Sequence, residues 1–291
     1  MKKVTIRVPA TTANLGPGFD AFGCALSLYT DVTFEETDCG LEITGCPEEF
    51  TGPDNLVYTS YCAVLNTMSE EVRGVKIHID AHIPICRGLG SSAALLVAGA
   101  MGANVLRGNK LSTQGLLNIT NAMEGHPDNL APAFYGGLTA SMVDNGLPVC
   151  VNFPLHPDWE FVALIPDFDL PTTLARSVLP QQVSRADAIY NIAHGALVLK
   201  ALELGDEKLL RNAMQDRILV HHVDDSVRVD ALSAMRVMRL RIVKSLAIVL
   251  ASLDENRQPQ ARSIHDGILG DTGDSDQHSA PPSIGIPQLG Q

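Results

Sequence analysis

A mixed α/β fold in two lobes sharing one cleft is what this sequence predicts. Strand-like stretches of period two alternate with helix-length apolar stretches, and a loop rich in glycine and serine opens directly into an Ala-rich run. The length of 291 residues exceeds one average domain yet suits two fused lobes. A hydrophobic share of 45% against 19% charged residues supplies the apolar surface a core requires.

Taken in order, residues 4–8 alternate as a strand, and residues 22–34 mix apolar and β-branched side chains in a second, with a loop of small residues between them. An acidic connection over 35–54 leads to a helix over 57–68 and to a strand over 75–79, where Val75, Ile77 and Ile79 alternate with Lys76 and His78. Residues 84–90 read as a loop, and Ser91 to Val105 as a buried helix whose N-terminus faces it. A helix over 112–123 ends at Gly125-His126-Pro127, and Gly136-Gly137 suits a tight turn. A buried strand around 161–165 begins the second lobe, followed by a helix over 186–204 closed by Gly205 and one more over 208–218.

The net charge of -12 opposes binding to nucleic acid or an anionic membrane, and no basic patch precedes residue 219. An acidic chain that holds a phosphate has to build the site from backbone N–H groups, a helix dipole and a metal ion instead of bulk charge. No uninterrupted run of eighteen apolar residues is present, so no membrane span is expected. Cys24, Cys39, Cys46, Cys62, Cys86 and Cys150 include no Cys-x-x-Cys pair, and the N-terminus alternates like a strand instead of carrying a signal peptide's apolar core. Reduced thiols in the cytoplasm are expected.

Three strings carry chemistry. Pro84-Ile85-Cys86-Arg87-Gly88-Leu89-Gly90-Ser91-Ser92-Ala93-Ala94 places two glycines and two serines where a loop enters a helix. Glycines admit close approach of the main chain, the first helical N–H groups lack partners, and the dipole adds partial positive charge. The string lacks the Gly-Lys-Ser/Thr ending of a Walker loop and has no dinucleotide-binding context. Pro9-Ala10-Thr11-Thr12-Ala13-Asn14-Leu15-Gly16-Pro17-Gly18-Phe19-Asp20 offers an amide and a carboxylate on a loop; from residue types alone, a turn in which Asn14 and Asp20 bond their own backbone is favoured. Glu124-Gly125-His126-Pro127-Asp128-Asn129 packs two carboxylates, an imidazole and an amide behind a helix, at a spacing that fits no zinc signature.

The first of these strings resembles the phosphate loop of the GHMP kinases, a superfamily of small-molecule kinases for galactose, homoserine, mevalonate and phosphomevalonate. The other two resemble motifs of its homoserine kinases in particular. The resemblance implies a two-lobed GHMP kinase fold, α/β (α+β) in class. Its N-terminal ATP-binding lobe, like the second domain of ribosomal protein S5, would cover residues 1–155, and its α+β C-terminal lobe would begin at 156–218 and be left incomplete. It implies ATP-dependent phosphorylation of the L-homoserine hydroxyl to O-phospho-L-homoserine and ADP in threonine biosynthesis, with Mg²⁺ and a homodimer as the expected assembly. Residue by residue, Pro84, Ile85, Cys86, Arg87, Gly88, Leu89, Gly90, Ser91, Ser92, Ala93 and Ala94 would wrap the ATP phosphates. Ser92 and Glu124 would hold the Mg²⁺, and Asn55 would lie near the adenine. Asn14, Asp20, His126 and Asp128 would hold homoserine, with Asp128 also orienting its hydroxyl; Thr172 would lie by the transferred phosphate and Arg176 would clamp the substrate carboxylate.

The rival substrate of mevalonate type has no ammonium group, so the pairing of Asp20 with Asp128 favours homoserine. The resemblance ends after Asp216-Arg217-Ile218. The family continues there with a second substrate arginine and a Ser-Gly-Ser-Gly loop, and neither follows in this chain. Residues 219–291 are atypical, with an amphipathic basic helix expected over 231–253 and a Pro-, Gly- and Ser-rich tail of disordered composition from Asp254. A shift of reading frame near residue 218 is the favoured origin of this change, with a regulatory extension as the alternative. A homologue that binds ATP without turning homoserine over is the reading that the lost motifs leave beside an active kinase.

Overall fold

Apolar residues at every second position make the first strand half-buried, and the rest of the sheet grows from it. In the computed structural model, which describes residues 2–85, 87–163 and 180–218 together with the backbone of 241–244, β1 (Lys3–Ala13) buries Ile6, Val8 and Ala10 on one face. Its opposite face carries Thr5 and Arg7, which meet Thr33 and Asp31 across the antiparallel pairing with β2 (Phe22–Thr37). β2 is the organising strand. One of its edges takes β1, and the other takes β4 (Gly74–Ala81) along Thr30–Thr37 and β5 (Leu138–Asp144) along Phe22–Cys24. β3 (Leu41–Thr44) adds to β4 in parallel and β6 (Leu147–Phe153) to β5 antiparallel, giving the order β3-β4-β2-β5-β6 in a six-stranded mixed sheet.

Helices α1 (Leu56–Thr67), α2 (Ser91–Leu106), α3 (Thr113–Glu124) and α4 (Leu130–Tyr135) share a core with the sheet. α2 is the central one: eleven of its sixteen residues are buried, which explains its apolar composition with no polar face. Its glycines permit two close approaches. A Cβ on Gly99 would fall 2.1 Å from the Val57 carbonyl oxygen of α1, and one on Gly102 would fall 2.5 Å from the Phe34 ring. Phe34, fully buried and stacked on Tyr61 at 5.6 Å between ring centroids, ties β2 to α1. Burial of such a ring contributes about 1.5–3 kcal/mol.

A second apolar cluster joins Leu15, Cys24 and Leu138 to Trp159 of β7 (Trp159–Val162), to Val198, Ala201 and Leu202 of α5 (Arg185–Leu204), and to Leu210 and Ala213 of α6 (Glu207–Ala213). Trp159 Nε1 donates to the Leu202 carbonyl at 2.9 Å. Gly205 closes α5 in the left-handed region at φ 70°, as its sequence position predicts.

Several expectations are corrected. β1 extends to Ala13, because after an irregularity between Pro9 and Thr11 its residues Thr11, Thr12 and Ala13 pair with Ala25, Cys24 and Gly23. The connection over 35–54 contains β3 and a single 3₁₀ turn, Glu48–Phe50. The expected helix over 208–218 stops at Ala213, since Arg217 N–H donates to Asn191 Oδ1 and Ile218 N–H to Asp216 Oδ1, bonds that replace helical ones. Within the helix expected over 231–253, Arg241–Lys244 instead form β8, antiparallel to β7; the remainder lies outside the described residues. The composition-based reading of the tail from Asp254 also lies outside them.

A helical Gly→Ala exchange ordinarily gains about 0.5–1 kcal/mol. Gly99→Ala is expected to reverse that sign, because the atom in its way is backbone of α1. A net loss of about 1–3 kcal/mol by urea denaturation is the expected result, and a variant as stable as the parent would contradict the α1–α2 packing.

Candidate functional site

Three chain segments converge at the N-terminus of α2. The first is the loop before that helix, fastened by Ile83 and Leu89, both buried in the main core, while Ile85 between them is exposed. Gly88 and Gly90 both take φ 67°, a conformation costly for any residue with a Cβ. Gly90 is the N-cap of α2, and Ala94 N–H reaches back to its carbonyl at 2.9 Å. The first turn of a helix begun in this way presents N–H groups without helical partners, under the positive end of the dipole. Of the eleven residues expected in this loop, Pro84, Ile85, Arg87, Gly88, Leu89, Gly90, Ser91, Ser92, Ala93 and Ala94 stand in or directly behind it, with Ala93 and Ala94 packed into the core; Cys86 lies outside the described residues.

The second segment is the loop between β1 and β2. Asn14 and Asp20 both occupy the left-handed region, at φ 59° and 56°, which short polar side chains tolerate best. Asn14 N–H donates to the Phe22 carbonyl, and Asn14 Oδ1 accepts from the Asp20 N–H at 2.9 Å. The amide of Asn14 thus shapes the turn, as the residue types alone suggested. The Asp20 carboxylate does something else: it faces the third segment.

That third segment follows α3. Glu124 is the last residue of α3 and Gly125 closes it at φ 91°. Ser92 Oγ donates to Glu124 Oε2 at 2.9 Å, bringing a hydroxyl and a carboxylate together beside the α2 N-terminus. Asp128 is buried to 1% exposure, and its Oδ1 accepts from the Asn129 N–H at 3.0 Å and lies 2.7 Å from His126 Nδ1. A carboxylate this deep requires such partners. Ligand-competent atoms of Asp20, His126 and Asp128 all lie within 4.8 Å of one another. The approach depends on Gly23 of β2, where a Cβ would fall 1.9 Å from the Asp128 carbonyl oxygen.

The site therefore has two parts: an anion cradle at α2 with an oxygen pair from Ser92 and Glu124, and a cluster of two carboxylates and an imidazole suited to a small cation such as an ammonium. An oxygen pair of this kind fits Mg²⁺, a hard ion that takes oxygen ligands. Asn55 is buried as the N-cap of α1; its Oδ1 accepts from Val57 N–H and its Nδ2 donates to the Phe50 carbonyl. Its amide thus shapes the turn ahead of α1. Thr172 and Arg176 lie outside the described residues. Nothing in the sequence gives a role to Thr11 or Gly23, and it shows Asn129 only as the amide of its polar string; the close approaches by which these residues hold the segments together are visible only in three dimensions.

Residues 55–137 match the family described as GHMP kinases N terminal domain. A homoserine kinase of Clostridium botulinum (strain Eklund 17B / Type B) is 40% identical over 230 residues, covering 76% of this chain and 77% of that protein. The crystal structure of a homoserine kinase from Cytophaga hutchinsonii is similar with a TM-score of 0.68 at 30% identity, over 75% of this chain and 73% of that one. A phosphomevalonate kinase of Streptococcus pneumoniae, at 12% identity and a TM-score of 0.59 over 81% of this chain and 80% of that one, shares the fold alone.

A Cβ added at Gly90 would lie 2.0 Å from Thr11 Oγ1, on top of the strain of its positive φ. Gly90→Ala is expected to weaken binding of Mg²⁺-ATP at least about tenfold in isothermal calorimetry. Unchanged affinity would mean that phosphates do not sit against this turn.

Proposed function

The chain belongs to the homoserine kinase family, whose members phosphorylate the homoserine hydroxyl at the expense of ATP, and we propose that it carries out this transfer where the three segments meet at the N-terminus of α2. The observation that carries the proposal is the closeness of Asp20, His126 and Asp128 in one cluster, on segments that also border the anion cradle. Residues 1–155 would bind the nucleotide, and residues 156–218 would begin the second lobe, with residues 219–291 atypical for the family.

In this reading the backbone around Gly88 and Gly90 and the first turn of α2 hold the phosphates of ATP, from Pro84 to Ala94. Ser92 and Glu124 would hold Mg²⁺, which supplies neutralisation of the charge that develops on the phosphates. Asp20 and Asp128 bind the ammonium group of L-homoserine, and charge-assisted hydrogen bonds of that kind are the strong ones. His126, bonded to Asp128, holds that carboxylate in one orientation. Arg176 clamps the substrate carboxylate and Thr172 lies by the transferred phosphoryl group; both assignments rest on the sequence resemblance. Phosphoryl transfer draws its rate from alignment and electrostatics more than from covalent chemistry, so positioning the acceptor hydroxyl is the main duty given to Asp128. An ordinary carboxylate is a weak base towards an alcohol.

Mevalonate, which lacks an ammonium group, would bring no positive charge to these two carboxylates, one of them buried. That asymmetry is the basis for choosing homoserine. Among the described residues no helix is long and apolar enough to cross a membrane. The cytoplasm is the location proposed for this transfer.

ADP release from Mg²⁺-ATP is expected to depend on L-homoserine and not to respond to mevalonate, and Asp128→Asn is expected to lower kcat/KM for homoserine about 100-fold or more while ATP binding persists. Turnover with mevalonate, or an Asp128→Asn enzyme of full efficiency, would contradict the assignment.

A further inference from the structure

Thr11 is fully buried, and it touches both halves of the site. Its N–H donates to the Leu89 carbonyl of the phosphate loop at 3.1 Å, and its hydroxyl donates to Asn129 Oδ1 at 2.8 Å. Asn129 in turn gives its own N–H to Asp128 Oδ1 at 3.0 Å. One strand residue thus links Leu89, beside the anion cradle, to the carboxylate of the acceptor cluster through one main-chain hydrogen bond and two that involve side chains.

Two further observations mark this link as more than ordinary packing. Asn129 is the N-cap of α4, a position where an asparagine side chain ordinarily accepts a hydrogen bond from its own helix; here it makes no such bond, and its Oδ1 takes the Thr11 hydroxyl instead. Gly90 has room for no side chain because that same pair fills the space, with Thr11 Oγ1 2.0 Å and Asn129 Oδ1 3.1 Å from where its Cβ would stand. Thr11 is itself fixed, paired with Ala25 of β2 directly after the irregularity in β1.

We infer that Thr11 and Asn129 are positioning residues that form a brace between the phosphate loop and Asp128, setting the distance and direction from the phosphoryl group to the acceptor hydroxyl. The inference rests on the site reading proposed above. Neither side chain needs to touch a reacting atom. Alignment errors on the scale of one ångström cost about 100-fold in rate, so loosening this brace acts on the chemical step more than on the binding of either substrate alone.

The test compares Thr11→Val, which keeps the shape and removes the donor, with Thr11→Ser, which keeps the hydroxyl, in steady-state kinetics on the full chain. Thr11→Val is expected to lose about 10- to 100-fold in kcat with KM for ATP and for homoserine each within about threefold, and Thr11→Ser to stay close to the parent. Thermal melts by circular dichroism establish that each variant is folded at the assay temperature. Should Thr11→Val not fold, Asn129→Ala removes the same hydrogen bond from the half-buried side and carries the same expected loss. Full kcat in whichever of the two is folded, equal loss in Thr11→Val and Thr11→Ser, or a change confined to KM would overturn the brace. A parent chain without homoserine-dependent ADP release would instead overturn the site reading, and the brace with it.

Discussion

An acidic kinase has to hold a polyanion, and we propose that the α2 N-terminus is where that conflict is resolved. With a net charge of -12 the long-range field repels ATP, so the attraction has to come from backbone N–H groups and the dipole at very short range. Short range demands that nothing stand between the main chain and the phosphate. Gly90 at φ 67° bears no side chain there, and Thr11 and Asn129 fill the space where one would stand. The length and burial of α2, the close approach of α1 at Gly99 and the anchoring of Leu89 all serve to hold that one turn in place.

The acceptor side is built by a different device. Asp20 sits on a turn held by Asn14, His126 and Asp128 on a turn that begins where α3 ends, and Gly23 lets β2 pass against the Asp128 backbone. Asp20 comes from the loop between β1 and β2, and His126 and Asp128 from behind α3, far away in sequence, so the cluster exists only once β1, β2 and α3 are assembled. Buried carboxylates are costly, and the cost is offset by the Asn129 N–H and the His126 ring. Fold and site are therefore coupled: loss of sheet register would scatter the carboxylates as well as unpair the strands.

Much of this was legible in the sequence for physical reasons. Residues 91–106 announce a buried helix because Ala, Leu, Val and Gly fill it without a charge, and Gly88 and Gly90 mark the loop because few other residues tolerate those angles. Glu124, His126 and Asp128 stand out as polar residues behind a helix. The β5–β6 hairpin was missed although Asn145-Gly146, at φ 49° and 78°, is the turn dipeptide for it. Strand β1 beyond Pro9 was missed because a proline usually ends pairing, whereas here the register shifts and pairing resumes. Thr11 carries no signal in composition or periodicity, and Asn129 shows in the sequence only as an amide of its polar string, with nothing to pair it with Thr11. Only their mutual distance distinguishes them. Asn191 and Asp216 illustrate the same limit: bonded to each other across twenty-five positions, they accept the N–H groups of Arg217 and Ile218 in place of helical partners.

In the site proposed here, nucleotide and amino acid bind to two adjoining halves joined at β1. Hydrogen–deuterium exchange on the full chain tests it directly, with a non-hydrolysable ATP analogue plus Mg²⁺ and with L-homoserine, separately and together. The nucleotide is expected to slow exchange at the amides of residues 88–94, and homoserine to slow it at 14–21 and 126–129. Protection by homoserine at any other surface, with residues 126–129 exchanging as in the free protein, would contradict it.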